Sequence, residues 1–90
     1  MEITRKLKIV NRLGLHLRAA AQFVKTTAAF KSRILVKNKN GHVNGKSLLN
    51  LLALAASYGT ELTFVIKGDD ANEARAALER LFLDKFGEKE

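Results

Sequence analysis

The sequence predicts an α+β fold: a two-layer sandwich in the order βαββαβα, with the helices packed on one face of a four-stranded antiparallel sheet. Three observations carry this expectation. Four short segments alternate apolar and polar residues, three others space their apolar residues at helical period, and glycines mark several of the joins. The chain has no linker, repeat or proline. A ferredoxin-like βαββαβ arrangement uses nearly the same string of elements, so their order alone leaves the topology open.

The elements follow in turn. Ile3 to Val10 places Ile3, Leu7 and Ile9 on one face and charges mostly on the other, as a half-buried strand does. Asn11 to His16 is an irregular loop broken by Gly14. From Leu17 to about Phe30 the period becomes helical, with Ala20, Phe23, Val24, Thr27 and Phe30 on one face and Gln22, Lys25 and Thr26 outward. Ser32 to Lys39 alternates again, with Ile34 and Val36 inward; Lys39-Asn40-Gly41 is turn chemistry leading to a short strand, His42-Val43-Asn44. Ser47 is the expected N-cap of a second helix running to about Ser57 and closed by Tyr58-Gly59. Glu61 to Lys67 is a strand with Leu62, Phe64 and Ile66 on one face. Gly68-Asp69-Asp70 is a turn in which either aspartate is placed to cap the last helix, which carries Ala74, Ala77, Leu78, Leu81 and Phe82 at helical spacing.

Composition narrows the function. Ninety residues, 47% of them apolar, correspond to a single domain over 1–90 with one modest core. Without cysteine there is no disulfide framework and no cysteine-based metal site. The start Met1-Glu2-Ile3-Thr4-Arg5 has no apolar signal core. Leu48 to Ala56 is far shorter than the ~20 residues that cross a bilayer, so a soluble cytoplasmic protein without membrane insertion is expected. A net charge of +7, spread along the chain, suits an acidic protein partner or nucleic acid. His16 and His42 are the only histidines and neither has a carboxylate cluster nearby in sequence, so no metal and no cofactor is expected.

The residues that carry chemistry lie in Gly14-Leu15-His16-Leu17-Arg18, which runs into Ala19-Ala20-Ala21-Gln22-Phe23-Val24-Lys25. Here a loop becomes a helix, and unpaired N–H groups meet the positive end of the helix dipole. A histidine at that point can attack a phosphoryl group and hold it as a phosphoramidate. The amides of Leu17 and Arg18 and the Arg18 guanidinium would neutralise the added charge. A single His-x-Arg at a helix start is by itself a weak motif, because a loop histidine is commonly a surface or satisfied polar group. The second helix adds a different signal. Leu48, Leu49, Leu51, Leu52, Leu54, Ala55 and Ala56 exceed one buried stripe. With Leu51 and Leu54 toward the sheet, Leu48 and Leu52 fall to the flank and Leu49 further out. That makes either a protein-docking patch or a deeply buried helix. Ser47, beyond its capping role, is a possible phosphorylation site beside these leucines.

Together these residues resemble the HPr family, the histidine-containing phosphocarriers of the bacterial phosphoenolpyruvate-dependent sugar phosphotransferase system. The anchors are Gly14-Leu15-His16-x-Arg18 with Ala20-Ala21-Gln22-Phe23-Val24, then Asn44-Gly45-Lys46-Ser47-Leu48, then Gly59-Thr60. The resemblance spans Leu7 to Phe86 and implies the open-faced sandwich over the ferredoxin-like alternative. It implies that His16 takes phosphate on Nδ1 from enzyme I and passes it to enzyme IIA domains, with Arg18 balancing charge. It further implies that Ser47 is the target of HPr kinase/phosphorylase where that enzyme exists. The docking surface would comprise Leu17, Ala21, Lys25, Leu48, Leu49 and Leu52. The protein would be a stoichiometric carrier in the relay, a monomer and not an enzyme in its own right. Three features depart from the family: Ala19 where proline is usual, Leu13 where a small polar residue able to bond near the imidazole is common, and the high positive charge. They keep open a regulatory paralogue controlled through His16 or Ser47, signalling sugar or nitrogen status. A small basic nucleic-acid-binding module is the distant alternative; most of the six aromatic residues sit at core positions, so nucleic acid is not the expected partner.

Overall fold

In a computed structural model that describes residues 1–39 and 41–90, the four alternating segments form one sheet. Its strands are β1 (Glu2–Lys8), β2 (Arg33–Asn38), β3 (Gly41–Asn44) and β4 (Glu61–Lys67). The helices are α1 (Leu17–Thr27), α2 (Leu48–Ala53) and α3 (Ala71–Leu83), followed by a short 3-10 turn at Lys85–Gly87. Asn40, within the expected Lys39-Asn40-Gly41 turn, lies outside the described residues.

The spatial order is β1-β4-β2-β3 and every neighbouring pair is antiparallel. Thus β4 lies between β1 and β2, the place a ferredoxin-like sheet gives to β3, and the open-faced sandwich is the topology adopted. Register aligns Ile3, Ile66 and Ile34 in one row and Arg5, Phe64 and Val36 in the next. Ile34, Val36, Leu62, Phe64 and Ile66 are all buried beneath the helices, whereas the opposite face exposes Lys6, Lys8, Arg33, Lys37 and Lys67. Arg5 shares the parity of the apolar residues, and its stem reaches past them so that Nε meets Glu79 of α3 at 3.3 Å.

Helical spacing buries Ala20, Phe23 and Thr27 on α1 and Ala74, Leu78 and Phe82 on α3. The rings of Phe23, Phe64 and Phe82 meet with centroids 5.4–6.1 Å apart, and Phe86 packs on Phe82 at 4.9 Å. This aromatic cluster fixes α1, and hence the loop before it, against the sheet and α3.

Several boundaries fall short of the periodicity. β1 ends at Lys8, although Ile9 still exchanges backbone hydrogen bonds of 2.8 Å with Gly59 and Thr60. α1 ends at Thr27, not Phe30, because the amides of Ala29 and Phe30 turn to carbonyls three residues back and Thr27 Oγ1 donates to the Gly45 carbonyl at 2.9 Å. α2 ends at Ala53, not Ser57. The amides of Leu54 and Ala55 bond three residues back, and Ala55 then takes a left-handed φ of 50°. That exit frees the Ala56 carbonyl, which accepts the Leu15 amide at 2.9 Å. Neither aspartate caps α3 through its side chain. Asp70 stands at the N-cap, but its carboxylate accepts from the amides of Lys31 and Ser32 at 2.8 and 2.9 Å and from Ser32 Oγ, tying the α1–β2 loop to the start of α3.

Candidate functional site

The site is assembled by the loop between β1 and α1. Gly14 adopts φ +72°, and its amide bonds the Asn11 carbonyl at 3.1 Å. Leu15 then turns into the core while Leu13 and Leu17 stay outside, 72% and 61% exposed. His16 is left at the N-cap of α1 with extended backbone, its carbonyl accepting the Ala20 amide at 2.8 Å. Its imidazole makes no capping bond, and the amides of Leu17 and Arg18 have no acceptor among the described residues. Those donors and the exposed Arg18 side chain therefore remain available to an anion at the helix start.

His16 Nε2 contacts Glu88 Oε2, and the other carboxylate oxygen accepts from Asn11 Nδ2 at 2.9 Å. The same Asn11 amide donates to the Gly14 carbonyl at 2.8 Å, while its own Oδ1 is buried without a partner among the described residues. Burial pushes the Glu88 carboxyl up, but hydrogen bonds from Asn11 and His16 and the charges of His16 and Arg18 outweigh it, leaving the group below its ordinary value. Glu88 is thus held as a carboxylate. Two shallow clefts meet here. One runs from Arg18 and Gln22 to Asp84, Phe86 and Lys89, the other from Arg18 to Arg12, Leu13 and Glu90.

Ser47 is the N-cap of α2, with Oγ accepting the Asn50 amide at 3.3 Å. α1 packs beside α2, so the leucines lie on a surface continuous with the first helix. Leu51 is fully buried, Leu48, Leu52 and Leu54 are half-buried, and Leu49 is 78% exposed. Ala21 and Lys25 face outward on α1, and Ala19 is buried against the core. His42 is exposed on β3, on another element from His16. Among the described residues no three His, Cys, Asp or Glu side chains gather as metal ligands, and no helix is long and apolar enough to cross a membrane.

Two site residues escape a sequence reading. Leu13 is exposed and offers the imidazole no polar group; the contact comes from Glu88, supported by Asn11. Nothing local marks Glu88, which follows the last helix and is 72 residues from His16. Asn11 reads only as a loop residue, and its burial is the signal that the fold supplies.

His16 thus stands at a helix start with the Leu17 and Arg18 amides free, on a four-stranded sheet under three helices, an arrangement open to an anion. Residues 3–84 match the family model described as the PTS HPr component phosphorylation site. The chain is 38% identical to phosphocarrier protein HPr of Treponema pallidum over 97% of its length and 99% of that protein's. It is 37% identical to the HPr-like protein Crh of Bacillus subtilis, over 80% of this chain and 85% of that one. Its fold superposes on the crystal structure of HPr-C-His from Thermoanaerobacter tengcongensis with a TM-score of 0.90 and 41% identity, covering 100% of this chain and 99% of that one. The chain belongs to the HPr family of phosphocarrier proteins.

Proposed function

We propose that this protein accepts a phosphoryl group on Nδ1 of His16 from phosphorylated enzyme I and donates it to enzyme IIA domains in sugar uptake, acting as a stoichiometric cytoplasmic carrier. The observation that carries the reading is the placement of His16. Its Nε2 is engaged by Glu88, Nδ1 has no partner among the described residues, and the amides of Leu17 and Arg18, next along the chain at the helix start, have no acceptor among them. In the transfer the Nδ1 lone pair forms the new N–P bond as the donor's bond to phosphorus breaks. The Arg18 guanidinium and the helix amides balance the charge that arrives. Transfer between two phosphohistidines is nearly even in energy, so positioning and charge neutralisation dominate. Exposed Leu17, Ala21, Lys25 and Leu49, with Leu48 and Leu52 at the flank, give a partner an apolar surface near the reacting ring.

Similarity to Crh supports a second reading, a regulatory paralogue in which Ser47, the target position of HPr kinase/phosphorylase, is the controlling site. Phosphate on Ser47 would place negative charge among the docking leucines. Intact mass after incubation with phosphoenolpyruvate and enzyme I decides the first reading. One acid-labile phosphoryl adduct is expected on the wild type and none on His16→Ala. An unmodified wild type, with enzyme I active on a known acceptor, would refute the carrier and shift weight to Ser47.

A further inference from the structure

The last residues of the chain do something the carrier chemistry alone does not require. After α3 the backbone reverses through two consecutive non-glycine residues in the left-handed region, Lys85 at φ 55° and Phe86 at φ 57°. L side chains adopt that region only at a cost in backbone energy. Burial of Phe86 against Phe82 holds the reversal, and the Arg12 amide donates to the Glu90 carbonyl at 2.6 Å. The outcome is that Glu88, its side chain only 13% exposed, reaches the imidazole. Asn11 contributes a matching expense, a buried unpaired Oδ1, while aiming Nδ2 at Gly14 and Glu88. Strain and an unsatisfied atom converging on one contact indicate that the contact has a use.

The geometry points to Glu88 as the positioning residue that fixes the tautomer of His16, with Asn11 setting which way the Glu88 carboxylate is presented. A carboxylate only accepts hydrogen bonds, so the neutral ring must donate from Nε2 and carry its lone pair on Nδ1. This rests on the carrier reading for its consequence. When Nδ1 attacks phosphorus, the Nε2 proton stays in place and Glu88 offsets the positive charge on the N-phosphorylated ring. When the phosphoryl group leaves, the N–P electron pair returns to Nδ1 and the departing imidazole is neutral. Without a proton on Nε2 it would leave as an imidazolide, a far poorer leaving group.

Asn11 makes the test sharp. Its Nδ2 needs an acceptor, so in Glu88→Gln it claims the amide oxygen and turns the Gln NH2 toward His16. The ring then has to accept at Nε2 and protonate Nδ1, which blocks the nucleophile. In Glu88→Ala the ring is merely released. The experiment is ¹⁵N-resolved NMR of the neutral imidazole in the unphosphorylated protein, with exposed His42 as the internal reference, beside the rate of phosphorylation by enzyme I. The wild type is expected to show the Nε2–H tautomer alone at His16, Glu88→Ala a mixture like that of His42, and Glu88→Gln mainly Nδ1–H. If the reactive form falls to about one tenth, phosphorylation slows about tenfold. A simple loss of tail packing would leave Gln nearer to wild type than Ala, which is the reverse order. Identical tautomers in all three proteins would overturn the proposal. A wild type that takes no phosphate would instead refute the carrier reading, while the tautomer result would still decide the role of Glu88.

Discussion

Replacing Gly14 by alanine tests how the loop delivers His16 to the helix start. Gly14 sits at φ +72°, where an L side chain costs about 1–2 kcal/mol. Its Cβ would also fall 2.8 Å from the Ala56 carbonyl oxygen and 3.0 Å from Ser57 Cα, both backbone atoms that cannot rotate aside. The Ala56 carbonyl is already held by the Leu15 amide, so relief requires moving the segment that positions His16. Overpacking of this kind adds about 1–3 kcal/mol, giving a total of about 2–5 kcal/mol. Gly59→Ala is the matched control. Its φ is +86° but its Cβ would meet nothing within 4 Å, so only the conformational part, about 1–2 kcal/mol, applies. Urea unfolding followed by far-UV circular dichroism reads both. A chain of this length has roughly 5–13 kcal/mol in all, so Gly59→Ala folds while Gly14→Ala gives up a large share of the total, and Gly14→Ala is also expected to accept phosphate more slowly. Equal losses for the two variants would refute the argument, since the close approach to Ala56 would then carry no energy.

Phe23→Ala is expected to lose about 3–5 kcal/mol in the same assay, because its fully buried ring joins Phe64 and Phe82, whereas Leu83→Ala, 82% exposed, changes stability by less than about 0.5 kcal/mol. A loss under 1 kcal/mol at Phe23 would show that the cluster closes over the gap. Acid stability checks the Asp70 clasp. The bonds from Ser32 Oγ and the Lys31 amide hold its carboxyl below the ordinary value, so the unfolded chain binds the proton more readily. The clasp's contribution is therefore complete above the usual carboxylate range and fades as pH falls through it toward the lower folded value. The urea midpoint from roughly pH 6 to pH 2 should decline less steeply for Asp70→Asn than for the wild type; matching slopes would remove the clasp as the cause.

What the sequence determined by itself is local. Alternation in Glu61 to Lys67 dictates which side chains enter the core, and helical spacing puts Phe23 and Phe82 inward. Ser47 lies where a cap belongs, and Gly14-Leu15-His16 before an apolar period places the histidine at a helix start. Each of these depends on neighbours within a turn or two of chain, which is the range that periodicity and capping report. The tertiary structure decided the rest. α2 stops early because Ala55 turns left-handed and Ala56 serves Leu15, an arrangement that only the packed loop rewards. The Asp70 carboxylate does not cap its own helix because the Lys31 and Ser32 amides, 39 and 38 residues away, come within reach. Glu88 meets His16 because Phe86 finds the aromatic cluster and swings the tail over the site. Contacts between distant residues cancel or confirm local preferences only after the chain has closed on itself, so no spacing in the sequence announces them.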